Sequence, residues 1–314
     1  MNCSCEVHEG VKIFQLVLYI PALIVGLILN VLALQTFCWK LRKWTETTIY
    51  MTSLAISDLI VLLILPFTIY SYQKKCVTKA LYIFVLIIYR INICMSTLII
   101  TCISVDRYIA IKYPFRQKVL RSPMKAAVTS AVIWIFTSLW YISSLNTFRF
   151  KYSASNVTNS DIVCTPFDLR KNLIFSIVPS LIVFMVIPLI TVTFCSFQII
   201  RTLRRRNMPN AGGFSTERTI RIITINAVVF VVCFLPFNVT TFIHVVMVYV
   251  EVDCSVLKLM CIINQVTMCL ANMNCCLDGF CFYFVTVEAN ELSKNQQHQP
   301  KDSEYNRDFT LSTL

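Results

Sequence analysis

Charged side chains are scarce in this chain of 314 residues: they make up 14%, beside 57% hydrophobic residues and a mean hydropathy of +0.69. A soluble domain carries roughly 25% charged residues on its surface, so this composition excludes one and indicates a membrane protein. Histidine is also scarce. His8, His244 and His298 are scattered, and the chain holds no His/Cys/Glu cluster at metal-ligand spacing and no nucleophile and base sharing a polar site. These absences argue against an enzyme. Acids are outnumbered, for a net charge of +12. The basic excess lies in short clusters between apolar runs, which is the pattern of topological anchors rather than of nucleic-acid binding. Met1 to Gly10 has no basic segment ahead of its first apolar run, so no cleavable signal peptide is expected, and the first span itself directs insertion.

What is present is length of apolar sequence. Seven runs, at about Phe14–Cys38, Ile49–Tyr72, Leu81–Ile111, Ala126–Leu145, Ile174–Ile200, Ile220–Val250 and Leu257–Val285, each reach the roughly 20 residues that span a bilayer as a helix. Pro21, Pro66, Pro188 and Pro236 fall inside them as expected kinks. Lys40, Arg42 and Lys43, then Lys112, Arg116, Lys118, Arg121 and Lys125, then Arg201, Arg204, Arg205, Arg206, Arg218 and Arg221 weight one set of loops, which is therefore cytoplasmic. The expected layout is an outer N-terminus (1–13), an all-α seven-transmembrane bundle (14–285) and a polar, disordered inner tail (286–314). The sequons at Asn2 and Asn156 fall on the outer side and are expected to be glycosylated, whereas the one at Asn238 lies within the sixth span and is read as chance. Ser312-Thr313-Leu314 fits a PDZ ligand, with chance equally able to produce it.

Of fifteen cysteines, most lie in apolar runs, where a reduced thiol serves as a small hydrophobe. Cys3, Cys5, Cys76, Cys164 and Cys254 fall in polar segments, an odd set that allows at most two bridges with one thiol left over.

Seven spans alone fit a transporter, a light-driven pump or a receptor. The ordered motifs separate these: Asn30 in the first span, Leu54-Ala55-Ile56-Ser57-Asp58 in the second, Asp106-Arg107-Tyr108 closing the third, Trp134 in the fourth, Pro188 in the fifth and Cys233-Phe234-Leu235-Pro236 in the sixth. The set resembles the rhodopsin-like (class A) G-protein-coupled receptors. In the seventh span, Asn274 to Tyr283 replaces the family's Asn-Pro-x-x-Tyr by Asp-Gly-x-x-Phe in a cysteine-rich setting. That form resembles a branch holding receptors linked to kynurenate-type acids and to lysophosphatidylinositol. Trp44-Thr45-Glu46-Thr47 and Leu120-Arg121-Ser122-Pro123 place the chain nearer the former.

The resemblance implies a plasma-membrane receptor with an outer ligand site and an inner partner, a heterotrimeric G protein, with arrestin as a further partner. It makes Asp106, Arg107, Tyr108, Phe230, Phe234 and Pro236 an activation switch in which Arg107 exchanges Asp106 for the G protein as the sixth helix swings out. The family's acidic partner on the sixth helix is not evident, since Glu217 lies near its place but Thr216 takes the aligned position. Asp58 and Asp278 are intramembrane carboxylates, costly enough to mark function. With Asn30, Asn92, Ser96 and Asn274 they match the pocket where the family holds a sodium ion, the one metal expected. The competing reading is a pair of protonated, hydrogen-bonded carboxyls. No organic cofactor is expected.

Arg90, about five turns outward of Arg107, is the informative basic residue for the ligand, because a charge inside a span must face a cavity or a partner. With Tyr89, Arg149, Lys151 and His244 it forms an electropositive site suited to an aromatic carboxylate or a lysophospholipid. Ile93 stands where the resemblance to the kynurenate-linked branch implies a buried Arg, so the ligand itself does not transfer. The family's outer disulfide position on the third helix is Tyr82 here; the resemblance then implies Cys76–Cys164, with Cys3 or Cys5 to Cys254 a second candidate and the connectivity open. A retinal pump would need a lysine within the seventh span, where only Lys258 stands near the outer end. A multi-span transporter of an organic anion is the alternative from another class, although no internal repeat is found.

Overall fold

The computed structural model describes residues 9–40, 44–73, 77–113, 122–154, 162–163, 174–206, 228 and 230–282. Asn2, Asn156, Cys3, Cys5, Cys76, Cys164, Thr216, Glu217 and the tail lie outside these residues.

Seven membrane-length helices form the bundle: Glu9–Trp39, Glu46–Tyr70, Phe84–Lys112, Pro123–Ser143, Val178–Thr202, Val231–Val250 and Cys254–Phe282. They are called the first to seventh helices below. Each follows its neighbour around a ring, and the seventh closes on the first. The third touches the second, fourth, fifth, sixth and seventh and is the axis of the bundle: 56% of its most apolar stretch is buried, against 22% in the fourth and fifth.

The first helix shows why this sequence packs in lipid. Ile13, Val17, Ile20, Ile24 and Ile28 recur at helical spacing on the exposed face, while Gln15, Tyr19, Gly26 and Asn30 recur on the buried one. Polar groups turn inward and apolar ones outward, since the hydrocarbon accepts no hydrogen bonds. Hydroxyls buried in the third helix satisfy themselves locally: Thr97, Thr101 and Ser104 each donate to the carbonyl four residues back, at 2.8–2.9 Å. The fourth helix is fastened to the second by Trp134 Nε1, which donates to Ser53 Oγ at 3.0 Å.

Two of the expected proline kinks coincide with widened turns. The segments Ile182–Val186 and Phe230–Phe234 are π-helical and immediately precede Pro188 and Pro236. A proline removes one amide and presses on the carbonyl four residues earlier, and a wider turn takes up that residue. The seventh helix has no proline yet still breaks, at Met273, by tightening: Met273 N donates to Leu270 O at 3.1 Å and Cys276 N to Met273 O at 3.0 Å. Beyond the break Gly279 lies so close to the first helix that a Cβ there would meet Leu29 Cβ at 2.8 Å.

On the outer side a two-residue strand β1 (Val77–Thr78) pairs antiparallel with β2 (Ile162–Val163), with Val77 opposite Val163 and Thr78 opposite Ile162.

Candidate functional site

One rod, the third helix, carries polar residues at three depths. Outermost is Arg90, half-buried, with its guanidinium carbon 4.9 Å from the centre of the Phe237 ring on the sixth helix. Among the described residues no carboxylate pairs with it. One turn inward, Cys94 Sγ lies 3.1 Å from Tyr141 Oη, which is 3.4 Å from Ser180 Oγ, so the third, fourth and fifth helices are linked beneath the arginine.

The other expected ligand residues are distributed differently. Tyr89 is 1% exposed and its hydroxyl donates to Thr68 Oγ1 at 3.1 Å, toward the second helix. His244 is as deeply buried, well inside the sixth helix rather than at its end, and is bonded to the Met260 backbone of the seventh. Arg149 and Lys151 stand on the extension of the fourth helix to Ala154, with side chains outside the described set. Four residues missing from the sequence reading belong here: Thr240 Oγ1 and Thr241 Oγ1 donate to Asn264 Oδ1 at 3.1 and 3.0 Å, and Thr240 Oγ1 lies 2.8 Å from Thr267 Oγ1, sewing the sixth helix to the seventh. Paired polar residues inside two apolar runs were the available signal. The buried Asn238 donates to Phe234 O at 2.8 Å, which agrees with its sequon being unreachable.

At mid-depth Asp58 is fully buried, and its Oδ1 accepts from Asn92 Nδ2 at 3.0 Å, which also reaches Ser57 Oγ at 3.0 Å. Asn274 Nδ2 donates to Asp278 Oδ2 at 2.5 Å, and Asn30 Nδ2 bridges Gly26 O and Cys275 O at 2.9 Å each. Cys275 Sγ, 3.9 Å from Asn92 Oδ1, stands between the halves of the cluster. Four buried oxygens, Asn30 Oδ1, Asp58 Oδ2, Ser96 Oγ and Asn274 Oδ1, have no partner among the described residues. Buried oxygens left in this state call for water or a cation. No three His, Cys, Asp or Glu side chains converge among the described residues; the two acids and the neutral oxygens are the donor types that a hard cation takes.

At the inner end Arg107 donates to Thr47 Oγ1 of the second helix at 2.6 Å, and Asp106 is buried beside it. Thr47 was not foreseen as a partner. The Tyr108 ring is 5.9 Å from that of Phe194 on the fifth helix, and its hydroxyl accepts from Lys112 Nζ at 2.9 Å. Phe234 is buried on the turn before Pro236. Phe230 occupies the start of the same turn, its side chain outside the described set.

Residues 29–282 match the family described as 7 transmembrane receptor (rhodopsin family). The chain belongs to the rhodopsin family. Mouse G-protein coupled receptor 35 is similar to it, 33% identical with 96% of each chain covered. Human lysophosphatidic acid receptor 4 is 32% identical over 93% of this chain and 80% of its own, and mouse G-protein coupled receptor 55 is 32% identical over 91% and 90%. As a rhodopsin-family receptor the protein is a multi-pass plasma-membrane protein that takes an extracellular signal and couples to a G protein, and it is not an enzyme.

One sequence expectation needs correction. Cys254 and Cys261 are both disulfide-bonded, so Cys261 joins the bridging cysteines although it lies outside the five in polar segments. The reading from hydropathy placed Cys261 within an apolar run; the seventh helix begins at Cys254, which leaves Cys261 only two turns from its outer end.

Proposed function

We propose that this receptor binds a small acidic ligand with an apolar body, an aromatic carboxylate or a lysophospholipid, at Arg90. The observation that carries this reading is the guanidinium itself, set in the outer half of the bundle with only an aromatic face against it and no carboxylate among the described residues. An unneutralised charge there is costly unless an anion completes it. Arg149 and Lys151 add positive charge to the outer half, His244 is buried against the seventh helix, and Tyr89 fixes the third helix against the second beneath the ligand. An anion drawing Arg90 off Phe237 would act one residue from Pro236, where the sixth helix turns. Agonist and G protein then favour the same outward-swung sixth helix, and each raises the other's affinity. Arg107, released from Thr47, meets the G protein; arrestin uses the same inner face, Arg204 to Arg206 meet it or anionic lipid, and Leu314 ends a PDZ ligand.

The test is G-protein dissociation in cells expressing the chain, across G-protein classes, against aromatic acids and lysophospholipids. A response to either acid class supports the reading. A well-expressed receptor that answers only cationic or neutral agonists overturns it.

Asp58, Asn92, Ser96, Asn274 and Asp278 hold a sodium ion in this reading, supported by the unpartnered oxygens. Asp58→Asn is expected to abolish the sodium dependence of agonist affinity. An unchanged sodium response in that variant would assign the pocket to protonated carboxyls.

A further inference from the structure

The half-buried Tyr141 hydroxyl has two polar neighbours among the described residues, and neither is a good acceptor for its hydrogen. Cys94 Sγ is 3.1 Å away, but a thiol sulfur accepts only weakly. Ser180 Oγ is 3.4 Å away, whereas hydroxyl hydrogen bonds close to about 2.5–3.0 Å. The three groups carry one hydrogen each and share two links, so one hydrogen is left over in whichever direction the chain runs. A phenol inside a protein ordinarily finds a partner. Packing fixes where this one stands. The Tyr141 ring lies 6.3 Å from that of Phe184, with 27° between the planes, and Phe184 is buried in the widened turn Ile182–Val186 of the fifth helix. That place adjoins the arginine. Cys94 follows Arg90 by four residues on the third helix, so the two side chains share a face with their Cβ atoms about 5–6 Å apart. The Arg90 charge acts on both the Cys94 thiol and the Tyr141 hydroxyl.

We propose that Tyr141 is a second anchor for the acid held at Arg90, its hydroxyl donating to one acid oxygen while the guanidinium holds another. The proposal rests on the acid site at Arg90 and adds the group that grips the acid from the fourth helix. On binding, the phenol hydrogen leaves Cys94 or Ser180 for the anion, and the thiol and the serine hydroxyl both turn to donate to Tyr141 Oη. Every hydrogen then has an acceptor. The phenol also exchanges a weak bond for a charge-assisted one. Because Arg90 stands on the third helix and Tyr141 on the fourth, the two donors meet the acid from different sides. The seat therefore takes a carboxylate or phosphate with at least two free oxygens, and the acid sets the direction of the hydrogen bond that joins the fourth helix to the fifth.

The test uses the purified full-length receptor and two minimal probes, phenyl phosphate and benzoate, each titrated against the thermal midpoint, which rises when a ligand binds the folded state. At least one probe is expected to raise the wild-type midpoint, and Arg90→Ala to abolish the rise. Tyr141→Phe is expected to need about tenfold more probe for the same rise, the loss of one hydrogen bond to a charged group. Its midpoint without probe is expected to stay close to the wild type, because the ring keeps its place on Phe184. Ser180→Ala retains the phenol and is expected to need less extra probe than Tyr141→Phe. Should Tyr141→Phe fold poorly, 3-fluorotyrosine placed at position 141 gives the second reading: a more acidic phenol donates more strongly, so less probe than in the wild type is expected. A mere tie between helices would not move that dose. Loss of the rise in Arg90→Ala with unchanged doses in Tyr141→Phe and with 3-fluorotyrosine overturns the second anchor and leaves the acid site at Arg90 standing. Equal losses in Tyr141→Phe and Ser180→Ala reduce the chain to a tie and overturn the anchor as well. An undiminished rise in Arg90→Ala, or no rise in the wild type with either probe, overturns the acid site and the anchor together.

Discussion

Arg90→Ala lowers the potency of acidic agonists by about 30- to 100-fold with surface expression retained. Removing one partner of a hydrogen-bonded charge pair costs about 2–5 kcal/mol when it is buried; at a half-buried site the lower end applies, and 1.4 kcal/mol is a factor of ten. Folding is spared for a specific reason. Without ligand the guanidinium touches the Phe237 ring and no described carboxylate, so truncation leaves no acid orphaned and forfeits only a cation–π contact of about 0.5–1 kcal/mol. Arg90→Lys is expected to restore part of the potency, because it keeps the charge and loses the planar fork that grips a carboxylate at two points. Concentration–response curves for the three receptors, matched for surface level, measure this. Unchanged potency of every acidic agonist in Arg90→Ala removes the residue from the site.

Gly279→Leu is expected to cut surface expression several-fold and Gly279→Ala to lower the thermal midpoint by about 2–12 °C. The added Cβ would stand 2.8 Å from Leu29 Cβ, a contact that the rigid root of a side chain cannot relieve by rotating. The first and seventh helices must part, which strains the bond from Asn30 Nδ2 to Cys275 O and the mid-depth polar cluster with it. Overpacking of this kind costs about 1–3 kcal/mol, and a domain of this order of size loses about 2–4 °C per kcal/mol. Leu29→Gly in the Gly279→Ala background removes the opposing Cβ and is expected to recover part of the midpoint, a coupling that two independent defects would not show. Full stability in Gly279→Ala alone would mean that the helices are farther apart here.

Much of this receptor was legible from its chain. Seven apolar runs that overlap the seven observed helices, the placement of Lys and Arg, and single residues such as Asp58, Arg107 and Pro236 are local signals, because a bilayer imposes its demands on each span separately. Family membership was equally legible from ordered motifs. The site was legible only in part. Arg90 announced itself by its cost, whereas Phe237 beneath it and Thr47 against Arg107 carried no mark of their own, and the Thr240–Asn264–Thr267 seam offered only polar residues within two apolar runs.

The sequence by itself thus determined the class, the topology and which residues are too polar to be idle, since the energetic penalty of lipid acts on one residue at a time. Only the tertiary structure decided their company. It turned Tyr89 and His244 inward to neighbouring helices, left Arg90 facing a ring with no acid among the described residues, and brought Cys261 into a disulfide that hydropathy had counted as buried thiol. These are questions of helix rotation and depth, set by how seven rods pack around the third, and a rotation of half a turn changes every partner while leaving the hydropathy of the span untouched.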